Sequence, residues 1–183
     1  MNYRQLLFID ETWTNEQCYN RTYGRALKGK PCYAPVTFVR KFKINLILAC
    51  NYNGPVFHDI FLHNNNIQNF MDFLFNLLPH LNEYPGENSI VLMDNAAWHH
   101  KELITIFCQL YGLYVIWLPA YFPLLCLAEY VFQGIKKKIK YRSSPTNIYD
   151  AILSVQECIE ELAGLDYRGL LRKLGYLNTQ TDD

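Results

Sequence analysis

A mixed α/β fold, with three antiparallel strands opening a central sheet and helices flanking its later strands, follows from three observations on this 183-residue chain. Apolar residues alternate through the first third and meet a hairpin signal at Asn51-Tyr52-Asn53-Gly54. Ile67, Phe70, Met71, Leu74, Leu77 and Leu78 then recur at helical spacing. From Ser89 onward the pattern becomes buried strand, helix, buried strand, the alternation that builds a parallel portion into a sheet.

Residues 4–10 predict the first strand, with Leu6, Phe8 and Asp10 on one face by the two-residue period. A polar stretch over residues 15–31, carrying Arg21, Arg25, Lys28 and Lys30, leads into Val36-Thr37-Phe38-Val39. Ile44, Leu46 and Leu48 then alternate along a strand over residues 43–52, and the hairpin returns through residues 55–62. Asn64-Asn65-Asn66 supplies the cap for a helix running to about residue 81. A buried strand over 89–94, a helix over 101–111 and a second buried strand over 113–118 follow. Helices are expected over about 127–141, 147–162 and 166–174, with residues 179–183 a frayed tail.

Half of the residues are hydrophobic and 19% charged, which excludes disorder and gives one domain spanning residues 1–183 enough core to fold. Lys+Arg and Asp+Glu both total 17, so no global basic field announces a nucleic-acid partner. Six scattered cysteines show neither a C-x-x-C pair nor zinc spacing, which favours a reducing, intracellular setting. No signal peptide opens the chain and no apolar run is long enough to span a bilayer, so a soluble protein is expected.

Chemistry concentrates at three points where hydrophobic segments run out. Asp10 follows Leu6-Leu7-Phe8-Ile9, Asp94 follows Ile90-Val91-Leu92-Met93, and Glu129 lies just beyond Leu118-Pro119-Ala120-Tyr121-Phe122-Pro123. Each acid alone has an ordinary explanation: a turn at Asp10, a helix cap at Asp94, a helix-dipole partner at Glu129. Gathered on one sheet edge, three ionised carboxylates would repel strongly without a cation, so the trio is a candidate site for two Mg²⁺ or Mn²⁺ ions.

Phe8-Ile9-Asp10-Glu11-Thr12, Val91-Leu92-Met93-Asp94-Asn95-Ala96-Ala97-Trp98-His99 and the Leu118–Pro123 turn ending at Glu129 together resemble the catalytic (DDE) domain of Tc1/mariner and IS630-like transposases. Asp94 and Glu129 bracket 34 residues, the spacing of the Tc1 branch. The resemblance covers about residues 4–142; the C-terminal helices over about 147–175 match nothing beyond helical packing. It implies a ribonuclease-H-like fold and cut-and-paste DNA transposition. It also implies Asp10, Asp94 and Glu129 as catalytic metal ligands, Asn95 and His99 as neighbours of the second acid, and transposon-end and target DNA as partners of a homodimer. The nucleus of a eukaryotic host, or otherwise the cytoplasm, is the expected location.

Two departures stand out. The third motif has Ala120 where the family has Pro, Phe122 for Ser, Cys126 for Asn, Leu127 for Pro and Ala128 for Ile. The changes at Cys126 and Leu127 remove a capping side chain and a fixed φ just before the helix that carries Glu129. Only three residues precede the first strand, so the helix-turn-helix DNA-binding domains of such transposases are expected to be absent, as in a fragment, a degenerate copy or a repurposed gene product. The rival to an active enzyme is therefore an inactive or domesticated relic that binds DNA or protein; a ribonuclease-H-like nuclease with another nucleic-acid substrate is a third reading.

Lys136, Lys137, Lys138, Lys140 and Arg142 form the one dense basic cluster, readable as DNA-phosphate contacts or as a solvated helix face. His100 neighbours His99, but adjacent residues on a helix diverge and only one can face the acids. His58, His63 and His80 lack ligand spacing, and Trp13, Trp98 and Trp117 are readable as base-stacking platforms or as core.

Overall fold

Alternation along the first strand decides which layer each side chain joins. The computed structural model describes residues 2–20, 24–33, 42–64, 66–96, 99–119 and 122–177. Its strands are β1 (Leu6–Asn15), β2 (Lys43–Asn51), β3 (Gly54–Phe61), β4 (Ile90–Met93) and β5 (Tyr114–Trp117); its α-helices are α1 (Ile67–Leu77), α2 (Lys101–Leu110), α3 (Leu127–Ile139), α4 (Ile148–Glu160) and α5 (Arg168–Lys173). The strands form one sheet in the order β3-β2-β1-β4-β5, with β1 to β3 antiparallel and β4 and β5 parallel to β1. Leu6, Phe8, Leu46, Leu48, Ile90 and Leu92 pack under α3, α4 and α5. Leu7, Ile9, Ile47, Val91 and Met93 pack on the opposite face against α1 and α2. The expected mixed sheet flanked by helices is thus the fold that forms.

Two elements differ from the sequence expectation. β1 continues five residues past Asp10, because Glu11 to Asn15 keep pairing with Ile47 to Lys43 of β2. β5, expected to be buried, is an edge strand whose outer side meets no partner strand among the described residues, leaving Tyr114 and Ile116 exposed. The cap of α1 falls at Asn66, whose side chain accepts from the Asn69 N–H at 2.9 Å. Val36-Thr37-Phe38-Val39, Arg21, Asn65, Trp98 and the tail over 179–183 lie outside the described residues. No described helix is long and apolar enough to cross a membrane.

Hydrogen bonds around Asn88 bring the start of β4 against the start of β1. Its N–H donates to the Arg4 carbonyl at 3.0 Å, and its side chain accepts from Asn51 Nδ2 at 3.0 Å while donating to the His80 carbonyl. Gln5 Nε2 adds a bond to the Pro85 carbonyl at 2.9 Å. The β2–β3 turn docks in turn on the connection between α4 and α5, through Gly164 N–H to Asn53 O and Tyr167 N–H to Tyr52 O, both 2.8 Å. Gly54 makes that approach possible: at φ +92° it adopts a conformation that favours glycine, and a Cβ there would stand 2.6 Å from the Leu162 carbonyl oxygen. Gly54→Ala is therefore expected to cost about 2–5 kcal/mol, combining backbone strain with overpacking. Gly164→Ala, at φ +74° but facing open space, should cost less, about 1–2 kcal/mol, by urea denaturation of both variants.

Candidate active site

The parallel pairing of Leu6 with Ile90 through Ile9 with Met93 brings β1 and β4 level, so Asp10, the next residue of β1, and Asp94, the residue after β4, come at the same height. Asp10 continues the row of Leu6 and Phe8, toward the layer of α3, whereas Asp94, past the end of β4, meets His99, whose ring packs on Phe70 and Trp117. Each has one oxygen tied to backbone. Asp10 Oδ1 accepts the Glu11 N–H at 2.8 Å, and Asp94 Oδ1 accepts the Ala96 N–H at 3.1 Å. Among the described residues no donor meets either Oδ2. Glu129 sits in the first turn of α3, whose N-cap position, Cys126, makes no capping hydrogen bond.

The charges of Glu129 and Asp94 both reach Asp10. Burial, followed by the charges of Glu11, Glu129 and Asp94, pushes the Asp10 carboxyl from 3.8 up to about 8 against the opposing Glu11 N–H bond. Asp94 moves the other way: its hydrogen bond with His99 outweighs partial burial, and the Lys101 charge adds to the lowering. Lys101 also lies over the Trp117 ring, 5.5 Å from its centroid.

His99, expected only as a neighbour of the second acid, is buried and brings its Nε2 to 3.1 Å from Asp94 Oδ1 and 3.6 Å from Glu11 Oε2. Burial works against the imidazolium, but the hydrogen bonds and charges of Asp94 and Glu11 hold it, up to about 9. Glu11 itself is pushed up by burial, with His99 opposing. Sequence reasoning misses Glu11, although it lies in the Phe8–Thr12 motif. The available signal is its carboxylate on the opposite face of β1, two residues beyond the apolar run. Asn95 is exposed and His100, also exposed, takes the N-cap position of α2 without a capping bond.

Divalent-ion fit can be judged from the donor set. Oxygen donors from carboxylates suit Mg²⁺ or Mn²⁺, and Mg²⁺ is commonly held by one or two carboxylates with water and phosphate oxygens completing the shell. Asp10 and Asp94 meet that requirement with backbone-anchored carboxylates. Among the described residues, no three His, Cys, Asp or Glu side chains converge tightly enough to enclose an ion by themselves.

The basic cluster lies at the far end of α3, with Lys137 about 12 Å along the axis from Glu129. Lys138 Nζ pairs with Glu161 at 2.6 Å, and Arg142 pairs with both Glu157 and Glu161 beside α4. Lys136, Lys137 and Lys140 have no ion pair among the described residues. Arg25, Lys28 and Lys30 are exposed, and Trp13 is half-exposed while Trp117 is partly buried.

A family profile described as DDE superfamily endonuclease matches residues 5–149. Among solved structures, the Mos1 strand transfer complex aligns with a TM-score of 0.75 at 18% identity, over 95% of this chain and 52% of that one. The mariner Mos1 paired-end complex with Mg aligns at 0.65 and 20% identity, over 94% and 52%. The catalytic domain of Mos1 mariner transposase aligns at 0.64 and 16% identity, over 95% and 77%. The chain therefore spans about half the length of the first matched transposase chains. No curated protein matches it in sequence. With the profile running from β1 into α4 over a ribonuclease-H-like sheet, the chain belongs to the DDE superfamily endonucleases and has the fold of the mariner transposase catalytic domain.

Proposed function

We propose that this chain is the catalytic domain of a mariner-like transposase, acting on DNA by metal-dependent cleavage and strand transfer. The observation that carries the reading is the parallel register of β1 and β4, which brings Asp10, within β1, level with Asp94, just past the end of β4, each with one oxygen fixed by backbone. The Mos1 paired-end complex with Mg supports divalent metal at such a site. Asp10, Asp94 and Glu129 would hold Mg²⁺ or Mn²⁺, which when bound lowers the pKa of water or a 3′-hydroxyl and stabilises the leaving 3′-oxygen. Ala96 N–H and His99 hold the Asp94 carboxylate in place, and Lys101 brings positive charge to the same side. Lys136, Lys137 and Lys140 are the cluster members left for phosphate; a dimer on paired transposon ends belongs to the same reading.

A second reading, an inactive domain that retains the fold and a DNA- or protein-binding surface, draws on the uncapped first turn of α3 and on the absence of a closed three-ligand cluster among the described residues. Mn²⁺ calorimetry on the chain and on Asp94→Asn separates the two. An active site gives saturable binding that weakens at least tenfold in the variant, followed by nicking of duplex DNA; a well-folded chain that binds no Mn²⁺ is the relic.

Charge at the site also sets a pH dependence in the cation-free protein. Folded Asp10 keeps its proton to about pH 8 whereas the unfolded chain releases it near 3.8, so the folded state binds the extra proton and loses stability as pH rises through that window. His99, raised from 6.5 to about 9, contributes stability that is complete below 6.5 and lost as pH rises through 9. Both trends run the same way. Urea denaturation should give a stability that declines from pH 6 to pH 9, by up to about 1.4 kcal/mol per pH unit for each proton. Asp10→Asn should flatten the lower part of the curve and His99→Gln the upper.

For DNA, combined Lys136→Ala, Lys137→Ala and Lys140→Ala substitution is expected to weaken duplex binding and to reduce the slope of log K against log salt by about 0.9 for each phosphate no longer neutralised. Arg142→Ala should instead act mainly on stability, by about 1 kcal/mol or less, through the ion pairs to Glu157 and Glu161.

A further inference from the structure

Glu11 is a buried carboxylate next to the acid site but on the other face of β1. Its side chain is 15% exposed, and its Oε1 has no hydrogen-bond partner among the described residues. Stability alone is a poor reason for such a group, since an unsatisfied buried oxygen is costly and an apolar side chain of similar size would fill the space without that penalty. What it does touch is informative. Glu11 Oε2 and Asp94 Oδ1 flank the same nitrogen, Nε2 of His99, at 3.6 and 3.1 Å. The His99 ring is boxed by Phe70, edge-on at 4.9 Å, and by Trp117 at 6.4 Å between centroids. Asp94 Oδ1 then meets two donors, His99 Nε2 and the Ala96 N–H, which fixes the carboxylate and leaves Oδ2 as the oxygen without a donor among the described residues.

We propose that Glu11 is a positioning residue for the acid site: standing against His99 Nε2, it turns that edge of the imidazole toward Asp94 and so sets the direction of the Asp94 carboxylate. The role reaches through a ring rather than through contact with substrate, the arrangement by which outer residues orient metal-binding carboxylates and histidines. It rests on the reading of Asp10, Asp94 and Glu129 as a metal site. Asp10 and Glu11, adjacent in sequence, then serve one site from opposite faces of the sheet. The alternation of β1 sends Asp10 toward α3 and Glu11 toward the α1 and α2 layer, and Asp94 at the end of β4 receives the influence of both.

The test is a double-mutant cycle on Mn²⁺ affinity, measured by calorimetry on the full chain, with ¹⁵N spectra of the His99 ring in the metal-free protein. Glu11→Leu should raise the Mn²⁺ Kd about 10–100-fold with little change in melting temperature, and Glu11→Gln, which keeps an acceptor, should recover most of the loss. In a His99→Gln background Glu11→Leu should add less than about twofold, because its route to Asp94 is gone. The ring signals of His99 should shift in Glu11→Leu without metal. An unchanged Kd in Glu11→Leu, or effects that multiply fully across the cycle, overturns the proposal. Absence of Mn²⁺ binding by the wild-type chain would instead sink the metal-site reading, and the ring spectra then decide positioning alone: a shift in Glu11→Leu upholds it and unchanged signals end it. The same spectra decide if the His99→Gln chain fails to fold.

Discussion

Everything at the candidate site depends on the parallel register between β1 and β4. Side chains alternate with period two, so a slip of one residue would turn Asp94 to the opposite face and bring Met93 level with Asp10. Two kinds of interaction oppose that slip. Leu6 and Phe8 with Ile90 and Leu92 belong to the α3 layer, while Leu7 and Ile9 with Val91 and Met93 belong to the α1 and α2 layer, and exchanging them would misfit both cores. At the strand origins, the bonds from Asn88 N–H to the Arg4 carbonyl and from Gln5 to the Pro85 carbonyl lock the starting heights. Asn88 adopts φ 57°, which asparagine tolerates better than most residues, and its amide is used on both sides.

That register creates an electrostatic conflict which the rest of the site answers in part. Asp10, Glu11, Asp94 and Glu129 place four carboxyl groups in one neighbourhood, two of them largely buried. His99 faces Asp94 and Glu11 together, and Lys101 adds its charge from the start of α2. Among the described residues no cationic side chain answers Asp10, which keeps the large upward shift. The uncompensated group is thus Asp10, on the α3 side, which also feels the charge of Glu129. A cation entering between them would relieve the largest remaining penalty, whereas Asp94 is already held in its ionised form.

The legible parts of this fold are those that local pattern decides. Period two along residues 6–10 assigns Asp10 to the face of Leu6 and Phe8, and the Asn-Gly turn locates the β2–β3 hairpin. What escapes is decided between elements. β1 runs on to Asn15 because β2 offers a partner, although Glu11, Thr12 and Asn15 are not an apolar run. The Val-Ile-Trp core of β5 reads as a buried strand, yet only Val115 and Trp117 pack against the α1 and α2 layer, while Tyr114 and Ile116 stand exposed on the other face. Glu11 reads as an ordinary polar residue after a strand; its partner His99, packed on Phe70 of α1 and Trp117 of β5, comes to it from a distant part of the chain. Lys138 and Arg142 read as open basic surface, and only the approach of α4 places Glu157 and Glu161 beside them.

The altered third motif bears on Glu129 through its helix, and packing there outweighs the lost cap. A missing side-chain cap costs about 1 kcal/mol. Against it, α3 buries Leu127, Ala128, Val131, Phe132, Ile135 and Ile139, and a fully buried Leu, Val, Ile or Phe side chain is worth about 1.5–3 kcal/mol. Gly134 lets Leu162 close onto the same helix, where a Cβ would meet its Cδ1 at 3.1 Å. The axis of α3 is therefore set along its whole length by the sheet and the C-terminal helices, not by the chemistry of residue 126. Cys126 is itself buried in that interface, where an amide would need hydrogen-bond partners and a thiol packs as a small apolar group. Substitution at this position trades a polar cap for core packing while leaving Glu129 in the first turn, above the face of the sheet that Asp10 shares.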